Sequence, residues 1–247
     1  MRPESIVTDS PAPVKIARFE FKVSARGVAH QIFFMKLISI NVAEPKWIVS
    51  GRHEVETGIF KEPVSGPVKV RRLNLEGDRQ ADLSVHGGEN KAVYAYSWQN
   101  IGHWKKVLKR NDLGPGSLGE NLTVEGLLDT DVSIGDQLEI GTARFRVTQP
   151  RFPCFKLGIA MRQKEFIKLF EDSGRNGFYL SVLQEGVIAA GDEITRTASR
   201  NPKTITVAEF ANIYRSRNAA GERLTSSMIR HMLEQGGIPD SLKSSLK

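Results

Sequence analysis

The sequence has one cysteine, Cys154, in 247 residues. A single thiol cannot form an internal disulfide. That excludes a secreted disulfide scaffold and points to a reducing compartment, the cytoplasm. Nor can it supply a structural zinc site or a four-cysteine iron–sulfur cluster within the chain. The five histidines (His30, His53, His86, His103 and His231) show no short ligand spacing. No apolar run approaches the roughly 20 residues that span a bilayer. The N-terminal "MRPESIVTDSPAPVKIARFEF" lacks the continuous apolar segment of a signal peptide. P-loop and G-x-S-x-G patterns are missing too. "GPGSLG" (114–119) satisfies G-x-G-x-x-G, but a dinucleotide site needs a strand before it and a helix after it. Here a helical pattern precedes and the strand-like "NLTV" follows, so this reads as a glycine-rich connecting loop.

The net charge of +7 permits an anionic ligand or nucleic acid. The basic runs "KVRR" and "KKVLKR" are weak support for nucleic acid, because the lysines of the second fall on the solvent face of an amphipathic helix. Residues 1–34 differ from the rest and end in "AHQIFF", just before Met35 and a buried-strand pattern, "MKLISINVA". Two readings stand side by side: an extension before an initiator at Met35, or an extra strand in "KIARFEFKV", where Ile16, Phe19 and Phe21 nearly alternate.

Residues 35–200 are rich in strand signals. "ARFRVTQ" alternates, with Ala143, Phe145 and Val147 on one side and Arg144 and Arg146 on the other. Gly141-Thr142 separates two apolar-alternating runs, the mark of a hairpin. "AVYAYS", "NLTVEG" and "FYLSVLQEG" are further short strands. "VSIGDQL" (132–138) echoes "IAAGDEI" (188–194), each placing a Gly-Asp turn before a strand. Two such units favour a compact barrel over a doubly wound sheet. "SWQNIGHWKKVLKRN" predicts a helix capped by Ser97, with Ile101, Trp104, Val107 and Leu108 on its apolar face. "AMRQKEFIKLFEDSG" predicts another, stopped by Gly174. From within "SRNPK" the character changes, and residues 201–247 read as an appendage of three short helices, punctuated by Pro202 and Gly236-Gly237.

Two stretches carry chemistry. In "GDRQADLSVHGGENKAVYAYS" (77–97), His86 precedes Gly87-Gly88, whose amides can approach a ligand closely. A tight turn with a surface histidine explains the same residues. In "TQPRFPCFKLG" (148–158), Cys154 follows a predicted strand and lies between Arg151 and Lys156. Neighbouring cations stabilise a thiolate and so favour a nucleophile or soft-metal ligand. The alternative is a small buried apolar residue.

Taken with "GSLGENLTVEGL", "IGDQLEIGTARFRVTQPRFPCFKLG" and "FYLSVLQEGVIAAGD", the 77–97 segment resembles a MOSC domain, named for the C-terminal domain of molybdenum cofactor sulfurases. The order and spacing are similar to the YiiM type, in which a MOSC barrel precedes a three-helix domain, over residues 35 to about 245. The resemblance implies an α+β fold built on a β-barrel (35–200), with the helices at 201–247. It implies binding of the molybdenum cofactor, a pyranopterin, and reduction of N-hydroxylated compounds such as 6-N-hydroxylaminopurine. Cys154 would ligate molybdenum and act in catalysis. Lys61 and Arg151 would anchor the cofactor, with Asp78, His86 and Asn121 among its binding residues, and His86 or Asp78 relaying protons. No flavin motif is present, so electrons are expected from a separate flavoprotein or iron–sulfur protein. Two other roles stay open: a persulfide carrier through Cys154, and a protein that binds or delivers the cofactor without turnover.

Overall fold

A computed structural model of the protein describes residues 35–81 and 87–219. The N-terminal segment 1–34, the second and third C-terminal helices expected beyond residue 219, and His86 lie outside the described residues.

The described chain is a sheet-dominated α+β fold. Its strands are β1 (Lys36–Val42), β2 (Lys46–Ser50), β3 (His53–Thr57), β4 (Glu62–Pro63), β5 (Val68–Val70), β6 (Val93–Ser97), β7 (Leu122–Glu125), β8 (Gln137–Ile140), β9 (Ala143–Pro150), β10 (Phe178–Gln184), β11 (Gly186–Ile188) and β12 (Ile194–Thr197). Its helices are α1 (Trp98–Leu108), α2 (Phe155–Ala160), α3 (Phe166–Ser173) and α4 (Val207–Ala219). Eight strands form one sheet in the order β12-β8-β9-β10-β6-β7-β1-β4. Only the β6–β7 pair in it is parallel. β2 with β3, and β5 with β11, form separate two-stranded pieces.

Strand pairing does not close the sheet into the expected barrel, since β12 and β4 remain its edges. The sheet does curl. Leu37 N donates to Asp192 O (2.9 Å), Gly191 N to Leu37 O (2.7 Å) and Ile194 N to Met35 O (2.8 Å), joining the start of β1 to the turn before β12.

The strand alternation appears where a sheet face meets solvent. In β9, Ala143, Phe145 and Val147 are buried and Arg144 is exposed. β8 and β9 pair as a hairpin across Gly141-Thr142, with Ile140 opposite Ala143. The two Gly-Asp turns are structural equivalents. Gly135 and Gly191 have φ of 90° and 100°, which favours glycine. Asp136 Oδ2 accepts from Ser133 N (3.0 Å), and Asp192 Oδ2 accepts from Ala189 N (2.8 Å). The strands they launch, β8 and β12, pair with each other.

β6 is buried at every residue because it separates two cores. Val93 and Ala95 face the main core, which spans the sheet from Leu37 to Ile194. Tyr94 and Tyr96 enter a second core with Ile101, Trp104, Leu157, Phe166 and Phe170 from α1, α2 and α3. Ser97 occupies the N-cap position of α1, but its hydroxyl makes no cap hydrogen bond and donates to Gln99 Oε1 instead (2.7 Å). Ile101 and Trp104 are buried as expected, whereas Val107 is exposed. The helix predicted over "AMRQKEFIKLFEDSG" starts six residues late, at Phe166, because Met161 ends α2 and Arg162 turns left-handed (φ 54°). Gly174, at φ 65°, stops α3. α4 buries Val207 and Phe210 in the main core. No helix of the described residues is long and apolar enough to cross a membrane.

Candidate functional site

Lys61, Asp78, Asn121, Arg151 and Cys154, which lie far apart in the chain, line one cleft of about 650 Å³ open to solvent. Its wall also carries Arg79, Lys91, Tyr94, Lys156 and Tyr179, so among the described residues five basic side chains line it with one carboxylate, Asp78.

One side is built on Asp78, which is 2% exposed. Its Oδ1 accepts from Ala43 N (2.9 Å) and from Lys61 Nζ in an ion pair. Its Oδ2 accepts from Asn121 Nδ2 (2.9 Å). With both oxygens engaged, Asp78 fixes the lysine. Asn121 is a knot rather than a free hand. Its Oδ1 accepts from Tyr94 N (3.1 Å), and Nδ2 also donates to Asn41 O (3.3 Å). Glu120, fully buried, accepts from Gly116 N (2.7 Å), Leu118 N (3.0 Å) and Thr123 Oγ1 (2.9 Å). This clasps the 114–119 loop, which lies so close to the Lys61 backbone that a Cβ on Gly116 would sit 2.4 Å from Lys61 O. The G-x-G-x-x-G glycines therefore serve close backbone packing. Burial pushes the Glu120 carboxyl up to about 7, against its hydrogen bonds.

The other side follows β9. Arg151 is 6% exposed. Its N–H donates to Gly177 O (3.2 Å), and its carbonyl accepts from Asn176 Nδ2 (3.0 Å). Its guanidinium lies over the rings of Tyr94 (5.3 Å) and Phe170 (5.4 Å). Among the described residues no carboxylate pairs with it, and its Nη1 has no hydrogen-bond partner. Burial works against this charge, but the fields of Tyr94, Tyr179 and Cys154 outweigh it and hold the basicity above that of an ordinary guanidinium. Cys154 is half-buried, directly before α2. Burial raises the Tyr179 phenol, opposed by Arg151 and aided by Cys154.

A buried guanidinium on two rings, lacking an acid, is expensive unless an anion completes it. The cleft thus fits an anionic group, and its single sulfur fits a soft metal carried in by that group. A metal cage built by the protein alone does not fit, since no cluster of three His, Cys, Asp or Glu exists among the described residues.

Sequence reasoning missed Tyr94 and Tyr179. Tyr179 sits at the half-exposed step of the β10 alternation, a usable signal. Tyr94 gave none, because every residue of β6 is buried.

Residues 82–195 match the MOSC domain. The uncharacterized protein YflK of Bacillus subtilis (strain 168) is 37% identical over 85% of this chain and 91% of its own length. Protein YiiM of Escherichia coli (strain K12) is 33% identical over 64% of this chain and 70% of its own. A protein of Gibberella moniliformis named Reductase is 32% identical over 68% of this chain, which covers 30% of that longer protein. The crystal structure of YiiM from Geobacillus stearothermophilus superposes with a TM-score of 0.70 at 30% identity, covering 86% of this chain and 97% of that one. The chain belongs to the MOSC-domain family, as a protein of the YiiM type.

Proposed function

We propose that the cleft holds the molybdenum cofactor and that the protein reduces N-hydroxylated compounds. The observation that carries this reading is Arg151, buried beside the lone thiol with no acidic partner among the described residues. Family membership supports the cofactor, and the fungal relative named Reductase supports redox chemistry. When bound, the cofactor would supply the two-electron centre for R–NHOH + 2e⁻ + 2H⁺ → R–NH₂ + H₂O.

The chain's own residues divide the remaining work. Arg151 and Lys61 anchor the anionic parts of the ligand, the first as a planar fork and the second as a point charge. Asp78 and Asn121 hold Lys61 at the wall. Cys154 offers its sulfur to the metal. The tyrosine wall, Tyr94 and Tyr179, limits water around the thiol and guanidinium. Electrons enter from a separate flavoprotein or iron–sulfur protein in the cytoplasm. On this reading the curled sheet acts as the MOSC barrel, latched where β1 meets the turn before β12.

The test is metal and pterin analysis of protein made in a molybdenum-replete host, wild type beside Cys154→Ser. It is combined with reduction of a hydroxylamine driven by a chemical reductant. Molybdenum and pterin in the wild type, with turnover lost in the variant, is the expected result. Equal molybdenum in both removes the ligand role. Cofactor without turnover leaves a carrier. A 32 Da sulfur adduct on Cys154 without molybdenum means a persulfide protein.

A further inference from the structure

The loop that delivers Cys154 is short and has few backbone restraints. Arg151 is tied at both its N–H and its carbonyl, and the Cys154 carbonyl accepts from Leu157 N (2.9 Å). Between them, Pro153 has no N–H to donate, and no hydrogen bond holds the Phe152 backbone among the described residues. What holds Phe152 is its side chain. Its ring lies 4.1 Å from the ring of Tyr214, with the planes 32° apart. Both residues pack at the margin of the main core.

Tyr214 belongs to α4, far along the chain. The next residue, Arg215, reaches a second element. Its Nη1 donates to Glu171 O (2.8 Å) and Asp172 O (2.7 Å), carbonyls at the end of α3. α3 in turn backs α2: a Cβ on Gly158 of α2 would sit 3.3 Å from Ile167 Cδ1 of α3. Two consecutive residues of one helix thus brace the cysteine loop from its two sides.

We propose that α4 is a positioning element for Cys154. Tyr214 acts through Phe152, and Arg215 acts through α3. The purpose assigned to this placement rests on the reading of Cys154 as the metal-binding sulfur, but the placement is measurable without cofactor.

The experiment is the rate of Cys154 alkylation by iodoacetamide in the folded, full-length, cofactor-free chain. Cys154 is the only cysteine, so the signal reports that atom alone. Loss of an aromatic pair of this kind shifts a local equilibrium about three- to tenfold. Tyr214→Ala is expected to speed alkylation by that factor, and Tyr214→Phe to restore the wild-type rate. Ile194→Val, a core change away from the loop, serves as the control for general loosening and is expected to leave the rate unchanged. Should Tyr214→Ala not fold, Phe152→Leu takes its place with the same expectation, since it keeps an apolar side chain and loses the ring contact. A folded Tyr214→Ala or Phe152→Leu alkylating at the wild-type rate overturns the proposal. So does Ile194→Val accelerating it equally. Molybdenum content of wild type made separately in a molybdenum-replete host separates the two ideas: none there sinks the cofactor reading and leaves the alkylation result standing.

Discussion

Arg151 carries a charge that the described protein does not neutralise, so its value should depend on what fills the cleft. Arg151→Met removes that charge and keeps most of the packing over Tyr94 and Phe170. Exchanging an uncompensated buried charge for an apolar group of similar size is neutral or stabilising. The cofactor-free variant should melt at or above the wild-type temperature while its molybdenum content falls about tenfold or more, the scale of one charge-assisted contact. Calorimetry and metal analysis on one preparation check both halves. Glu120 and Asp129 behave in the opposite sense. Burial raises Glu120 to about 7 and Asp129 to about 6. Both folded values lie above the unfolded ones, so between roughly pH 4 and 7 the folded chain holds protons that the unfolded chain has lost. Stability therefore falls as pH rises through that window, by a few kcal/mol at most for each group. Unfolding midpoints at pH 5 and pH 7.5 should show the decline, and Glu120→Gln should flatten it. Composition gave no hint of these two acids; Asp129, for one, accepts from Asn100 Nδ2 (2.9 Å) and Gly177 N (2.6 Å), far off in the chain.

Where a segment's environment is one-sided, the element was legible in the residues. β9 alternates because one face is wet, and the Gly141-Thr142 hairpin follows from the flanking pattern. The Gly-Asp echo was legible too, and it predicts unequal sensitivity. Asp136 is 2% exposed and accepts from Ser133 N and from Ser199 N (2.8 Å), so Asp136→Ala strands two backbone donors. Asp192 is half-exposed and its carboxylate accepts from Ala189 N. Chemical denaturation should give a loss of about 2–4 kcal/mol for Asp136→Ala and about 1 kcal/mol for Asp192→Ala. Comparable losses would mean that the turns are not loaded as described. Two elements escaped the reading for physical reasons. β6 shows no alternation because each of its faces has a core, and the helix after Cys154 breaks at Arg162, a non-glycine residue in the left-handed region that no residue preference announces.

At the scale of the whole molecule, the site is a product of topology. Residues near 61, 78, 121, 151 and 179 meet because the sheet curls, and local periodicity carries no record of that meeting. The family resemblance supplied what spacing could not: it named Lys61, Asp78, His86, Asn121, Arg151 and Cys154, of which five line the cleft and His86 lies outside the described residues. The cleft's charge, five basic side chains against one carboxylate among the described residues, implies affinity for small oxyanions even without cofactor. Inorganic phosphate at tens of millimolar should raise the melting temperature of the cofactor-free wild type, by preferential binding to the folded state, and should raise it less in Arg151→Met. An equal rise in both would place the anion elsewhere. The central claim is that the Cys154 sulfur holds molybdenum inside this cleft. X-ray absorption at the molybdenum edge tests it most directly: the wild-type protein is expected to show one sulfur ligand more than Cys154→Ser, and identical sulfur shells in the two proteins would contradict the account.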